Sequence, residues 1–238
     1  MKKLFGIVGI LLLIFLIHSC KKEDNVNVIK DVDGNVYTSV TIGTQEWMVE
    51  NLKTTKYNDN TQIPNVTDDT EWAGLTTHAY CWYNNKTDNK FVFGALYNWY
   101  AVENGKLCPT GWHVPSDGEW ALMENYLIAN GYNYDGTTTD NKLGPALASI
   151  NLWDASENKG AVGNTDYERK RNATGFSAIP AGTRYAGFCN LGWRGNWWST
   201  TELSEGIAWG HNIDSDNAGE SYCNLGKNCG LSIRCLKD

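Results

Sequence analysis

The segments GFSAIPAGTRY (175–185), GNWWSTTE (195–202), GIAWGHNID (206–214) and GLSIRCLKD (230–238) decide the fold class. Each is a short run of β-branched, aromatic and small residues punctuated by glycine, the pattern of strands separated by tight turns. Helical periodicity enters only upstream. In PSDGEWALMENYLIANG (115–131), Ser116 with Glu119 three residues later reads as a capping box, and Trp120, Met123, Tyr126 and Leu127 form an apolar stripe that ends at Gly131. GALYNWYAVEN (94–104) places Leu96, Trp99 and Tyr100 at helical spacing and predicts an earlier helix. Two helices followed by short β segments describe an α+β domain with antiparallel sheets and long irregular loops.

Working outward, AYCWY (79–83) reads as a strand. KDVDGNVYTSVTIGTQEWMVENL (30–52) reads as a hairpin about Asp33-Gly34-Asn35, continued through Trp47 after a second turn at Gly43-Thr44. Asp31, Asp33 and Asn35 resemble the opening of a calcium loop, but Gly34 is misplaced for an EF-hand and no glutamate follows at the twelfth position, so a turn is expected. Residues 53–77 read as an extended loop carrying Trp72. Residues 132–174 read as a polar loop around a weak helix at 143–150, with a turn cluster at Asp135 to Asn141.

The chain opens with Lys2 and Lys3, an apolar run from Leu4 to Ile17, and then His18-Ser19-Cys20 before Lys21-Lys22-Glu23-Asp24. The run has the length of a signal-peptide core and is too short to span a bilayer. The segment resembles the lipobox of bacterial lipoproteins, which implies a signal peptide at 1–19, acylation of Cys20 and a tether at 20–30. The alternative is an ordinary secreted chain with Cys20 a free thiol. The CKKED start also resembles the surface-export signal of Bacteroidetes lipoproteins, implying a domain anchored in the outer membrane by lipid alone and facing outward. Losing residues 1–19 removes two lysines and takes the formal net charge from −7 to −9. That acidity argues against nucleic-acid partners and against adsorption to anionic lipid.

With Cys20 set aside, six of the seven cysteines remain: Cys81, Cys108, Cys189, Cys223, Cys229 and Cys235. An even number in an exported chain implies up to three disulfides, with the connectivity open. The spacing at Cys223, Cys229 and Cys235 lacks CxxC pairs and neighbouring histidines, so no metal site is expected there.

IGTQEWMVENLKTTKYND (42–59), CPTGWHVPSDGEW (108–120), GFSAIPAGTRY with WWSTTE, and GLSIRCLKD resemble segments of one family, the Fibrobacter succinogenes major paralogous domain. Together they bracket residues 31–238, a single domain. The family's relation to C-type lectin-like folds implies two main helices flanking antiparallel sheets, and a disulfide brace between a cysteine near a helix and one in the last strand, here Cys108 and Cys235.

The chemistry of enzymes is largely missing. His78, His113 and His211 are scattered, with no HExxH and no GxSxG, and no phosphate-binding glycine loop occurs. His113 is expected to be a hydrogen-bonded structural residue, and Asp214 and Asp216 to belong to a solvated loop. The EPN, QPD and WND tripeptides of calcium-dependent lectins are absent, so a lectin-like fold would not by itself carry sugar binding. The formylglycine-generating branch of lectin-like folds implies a reactive cysteine pair, for which Cys223 and Cys229 are the candidates, although structural bridges suit an exported chain better. No catalytic residue, cofactor or metal is therefore expected. The loop between GFSAIPAGTRY and WWSTTE is the candidate binding surface. Tyr185 and Trp193 would stack on sugar faces or partner side chains, with Asn190, Arg194 and Asn196 supplying directional hydrogen bonds. Expected partners are an extracellular glycan or an envelope protein, with a structural role in the envelope as the alternative.

Overall fold

The computed structural model describes residues 28–238. The expected signal peptide at 1–19, Cys20 and all but the end of the expected tether lie outside the described residues. In chain order the elements are β1 (Ile29–Lys30), β2 (Val36–Tyr37), β3 (Ser39–Ile42), β4 (Gln45–Met48), α1 (Asp69–Ala73), β5 (Tyr80–Trp82), α2 (Lys90–Phe93), β6 (Ala95–Tyr97), α3 (Trp99–Val102), β7 (Trp112–His113), α4 (Asp117–Ala129), α5 (Gly144–Leu147), β8 (Ala181–Arg184), β9 (Phe188–Leu191), β10 (Arg194–Ser204), β11 (Ile207–Asp214), β12 (Glu220–Gly226) and β13 (Leu236–Lys237). They form five antiparallel sheets: β3-β4-β13-β7, β10-β11-β12, and the pairs β1-β2, β5-β6 and β8-β9.

The expectation of an α+β, lectin-like domain with two main helices is overturned. Strand accounts for 30% of the chain and helix for 18%, and α4, with 13 residues, is the one described helix longer than five. The first expected helix fails for a clear reason. Ala95–Tyr97 pairs with Tyr80–Trp82 on one side, and Tyr97 exchanges two backbone hydrogen bonds with Leu231 on the other. All three residues are buried, so a ladder on both edges wins over a helix whose nucleation is costly, and Asn98 caps only the single turn of α3. The expected helix at 143–150 is likewise one turn, because Ala148 leaves it to bridge Ala178. The loop at 53–77 contains α1, begun by Asp68, whose Oδ1 accepts from the Glu71 amide at 2.8 Å.

The hairpin and capping-box readings correspond to real elements. β3 and β4 turn at Gly43, whose φ of 62° lies in the left-handed region. Ser116 and Glu119 make the reciprocal cap of α4. Its stripe differs from the expected one at a single position: Trp120, Met123 and Leu127 are buried, while Tyr126 is 41% exposed.

The two tryptophans of β10 point to opposite sides, as strand alternation requires. Trp197 enters a cluster with Trp47, Trp120 and Phe176, in which the Trp47 and Trp120 rings lie 4.8 Å apart. Its indole N–H donates to Asn51 Oδ1 at 2.9 Å. Trp198 enters the second cluster, with Tyr97 and Leu231, and donates to the Tyr97 carbonyl at 2.8 Å.

One of the expected disulfides is present. Cys108 and Cys235 are bonded across a separation of 127 residues, while Cys81, Cys189, Cys223 and Cys229 are free thiols. A loop of that length is worth about 5 kcal/mol by chain entropy. The double variant Cys108→Ser/Cys235→Ser is accordingly expected to lose about 2–5 kcal/mol of unfolding free energy, read from urea denaturation. An unchanged midpoint would show that the bond braces nothing.

Candidate functional site

The candidate surface is built on the β8–β9 hairpin and the first residues of β10. Gly192 closes β9 at φ 80°, and a Cβ there would sit 2.7 Å from an Asp154 carboxylate oxygen, so only glycine admits the close approach. The Gly192 carbonyl accepts from the Asp154 amide at 2.8 Å, and the Trp193 carbonyl accepts from the Ser215 amide at 2.8 Å. The backbone on either side of Trp193 is thus pinned to two neighbouring segments.

The side chains are held as firmly. The Arg194 guanidinium stacks over the Trp193 ring at 4.5 Å and forks onto Asp214, its cross-strand partner, through Nε to Oδ1 and Nη2 to Oδ2, the latter at 2.6 Å. Hydrogen bonding to Asp214 keeps the guanidinium charged, above its already high ordinary pKa. Asp214 is therefore a fixed partner and not part of a freely solvated loop. Tyr185 is 41% exposed, and burial raises its hydroxyl and the Cys189 and Cys223 thiols above their ordinary values, against the opposing charge of Arg194.

Of the five residues expected to face a ligand, Trp193 and Arg194 are in contact and half-buried, and Tyr185 is exposed in the β8–β9 turn. Asn190 holds the turn beside them, at φ 64°, with its carbonyl accepting from the Trp193 amide. Asn196 does not join them: it is 2% exposed and donates from Nδ2 to Thr183 Oγ1 inside the domain. Strand alternation would put Asn196 on the face of Arg194, but β10 enters the core at Gly195 and is covered on both faces as far as Ser199, so Asn196 is enclosed.

The free thiols are poorly suited to nucleophilic work. Burial pushes Cys81 and Cys229 up to about 12 and Cys223 up to about 11, so little thiolate exists near neutrality.

The family model of the Fibrobacter succinogenes major domain matches residues 40–237. The chain belongs to this family. No curated protein and no solved structure matches it. The segments that carry the resemblance in the sequence fall, in this Fibrobacter succinogenes major domain, on the β3-β4-β13-β7 sheet, the start of α4, β8 and β10.

A second constellation in the domain escapes sequence reasoning. Glu124 of α4, His211 of β11 and Glu220 of β12 converge in the interior. A signal for it exists: Glu124 follows Trp120 by four residues and precedes Leu127 by three, a carboxylate inside the buried stripe of the helix. Burial opposes the charge on His211, but the Glu124 and Glu220 carboxylates that face it outweigh burial and raise the pKa, while burial pushes Glu220 up.

His113 has a structural place, bridging the α4 cap and β13. Its Nδ1 lies 2.7 Å from Asp238 and its Nε2 2.9 Å from Glu119. Partial burial opposes protonation, yet the hydrogen bonds to Asp238 and Glu119 raise the imidazole above its ordinary 6.5. A raised folded-state pKa gives stability that is full below 6.5 and is lost as pH climbs through the raised value. The stability gap between the native chain and His113→Gln is expected to be wide at about pH 5.5 and narrow at about pH 8.5 in urea titrations. A gap independent of pH would deny the imidazolium any role.

Proposed function

We propose that this chain is an exported, lipid-anchored binding module of the bacterial outer membrane, tethered through Cys20 and recognising extracellular glycans through Tyr185, Trp193 and Arg194 without catalysis. The observation that carries the reading is the pinned Trp193–Arg194 stack on Asp214, together with the exposed Tyr185 of the β8–β9 turn. Rigid aromatic faces lose little entropy on binding, and a guanidinium held in place offers directed donors to hydroxyl groups. The raised thiol pKa values support a non-catalytic role over one that depends on a reactive cysteine pair. The apolar opening of the chain supports export, and the net negative charge supports a partner other than nucleic acid.

A structural role in the envelope is the second reading, favoured by one observation. Leu203, Ile207 and Tyr222 stand exposed on the β10-β11-β12 sheet, as they would if another protein covered them.

The test is a glycan array probed with the chain from residue 20 onward, in its native form and as Trp193→Ala and Tyr185→Ala. Binding to at least one polysaccharide class, weakened roughly ten-fold or more by either substitution with urea stability retained, is the expected result. Silence across the array, with a stoichiometric envelope protein recovered from intact membranes, would replace the glycan reading with the structural one.

A further inference from the structure

Helix α4 presents its polar and apolar residues in an unusual order. Leu122 is 51% exposed, whereas the Glu124 side chain, turned inward, is only 17% exposed. It meets His211 and Glu220, which lie on adjacent antiparallel strands. Glu220 pairs with Ile213, two positions along from His211, so the two side chains are diagonal neighbours on one face of the sheet. The ring of His211 is stacked against Trp120 at 4.6 Å with the planes 15° apart, which fixes its orientation.

The donors and acceptors in this pocket do not balance. His211 Nδ1 lies 2.8 Å from Glu220 Oε1 and 3.4 Å from Glu124 Oε1. One N–H can serve only one of them well, and it is directed to Glu220. Glu124 Oε1 is buried with no hydrogen-bond partner, an arrangement that costs the full desolvation of a carboxylate oxygen. The remaining atoms of all three side chains are tied down from outside. His211 Nε2 lies 3.1 Å from Asp117 Oδ1. Asn141 donates from Nδ2 to Glu124 Oε2 at 3.3 Å and to Glu220 Oε2 at 3.2 Å, and its own Oδ1 accepts from the Glu220 amide. Both carboxylates therefore have one oxygen held by an amide and the other turned toward the same imidazole nitrogen. Among the described residues, the polar contacts of these side chains come from one another, Asn141 and Asp117, so three carboxylates face a single imidazole.

Such an outer ring is what orients the ligands of a metal centre. A ligating imidazole ordinarily gives its far N–H to a carboxylate, and ligating carboxylates are themselves hydrogen-bonded. The three inward atoms already lie within 4.8 Å of one another. From this geometry we propose that His211 Nδ1, Glu124 Oε1 and Glu220 Oε1 bind one divalent transition-metal cation, with Asp117 and Asn141 as the orienting partners. A nitrogen with two carboxylate oxygens suits zinc and manganese better than calcium, which favours six or more oxygens. On binding, the Nδ1 proton leaves to solvent, the imidazole keeps its Nε2 proton on Asp117, and Glu124 Oε1 gains the partner it lacks. The site clamps α4 to the β11–β12 hairpin and is independent of the glycan reading.

The test uses the chain from residue 20 onward, stripped with chelator and titrated separately with Zn2+ and Mn2+. Manganese, followed by electron paramagnetic resonance, discriminates against the free thiols, which prefer softer ions. One Mn2+ per chain is expected, with affinity falling at least ten-fold in Glu124→Gln. That variant keeps the side-chain shape, and its fold is checked by near-ultraviolet circular dichroism. A milder variant, Asp117→Asn, is expected to weaken binding about ten-fold as an outer partner, with the ring nitrogen signals of His211 still shifting on Zn2+ addition. Absence of stoichiometric Mn2+ binding, or equal binding by native chain and folded Glu124→Gln, would overturn the proposal and leave a proton shared among the carboxylates in the cation's place.

Discussion

The fold depends on a buried guanidinium. Arg234 is fully enclosed and, among the described residues, forms no salt bridge. It donates to the carbonyls of Met48 and Phe176 and to Asn51 Oδ1, and it lies over the Phe176 ring at 4.4 Å. Burial depresses its pKa to about 9, a measure of how unwelcome the charge is. A cation in such a place is tolerated only when its acceptors have arrived, and these come from residues 48–51 and 176–177 while the arginine lies near the end of the domain. Removing any one segment strands the charge, so these regions form together or not at all.

Arg184 repeats the device with a different set of acceptors. Also fully buried, it donates to the carbonyls of Val66 and Thr67 and to Asp69, and is sandwiched by Trp72 at 4.4 Å and Phe188 at 4.7 Å. It fastens the irregular stretch before α1 to the β8–β9 hairpin. The two arginines explain how many short strands and single-turn helices, none stable alone, hold a defined arrangement. The candidate binding surface inherits its rigidity from this arrangement, because β8 ends on Arg184 and Tyr185 follows directly.

Local signals read well wherever a short-range interaction decides the structure. The turn at Gly43, the cap at Ser116 and the strands around Trp197 and Trp198 each follow from neighbouring residues. The error at 94–104 has the opposite origin. Leu96, Trp99 and Tyr100 fit a helical period, but Tyr97 finds edge partners at Tyr80 and Leu231, and neither is visible from within the segment. The same limit applies to the sites. Tyr185, Trp193 and Arg194 are close in sequence and could be grouped by inspection. Asn196 could not be separated from them without knowing that β10 is covered on both faces from Gly195 onward. Glu124, His211 and Glu220 required the register of β11 on β12 and the rotation of α4, of which only the misplaced carboxylate in the helix stripe left a trace.

The position of β13 bears on how the molecule is made. Leu236 pairs with both Trp47 and His113, so the sheet that holds β3 and β4 lacks its middle member until residue 236 has been synthesised. A growing polypeptide must carry an exposed sheet edge and several large indoles through most of its translation. Contacts so distant along the chain slow folding and favour association with other nascent chains. Such a domain gains from being kept extended by a holding chaperone until translation is complete.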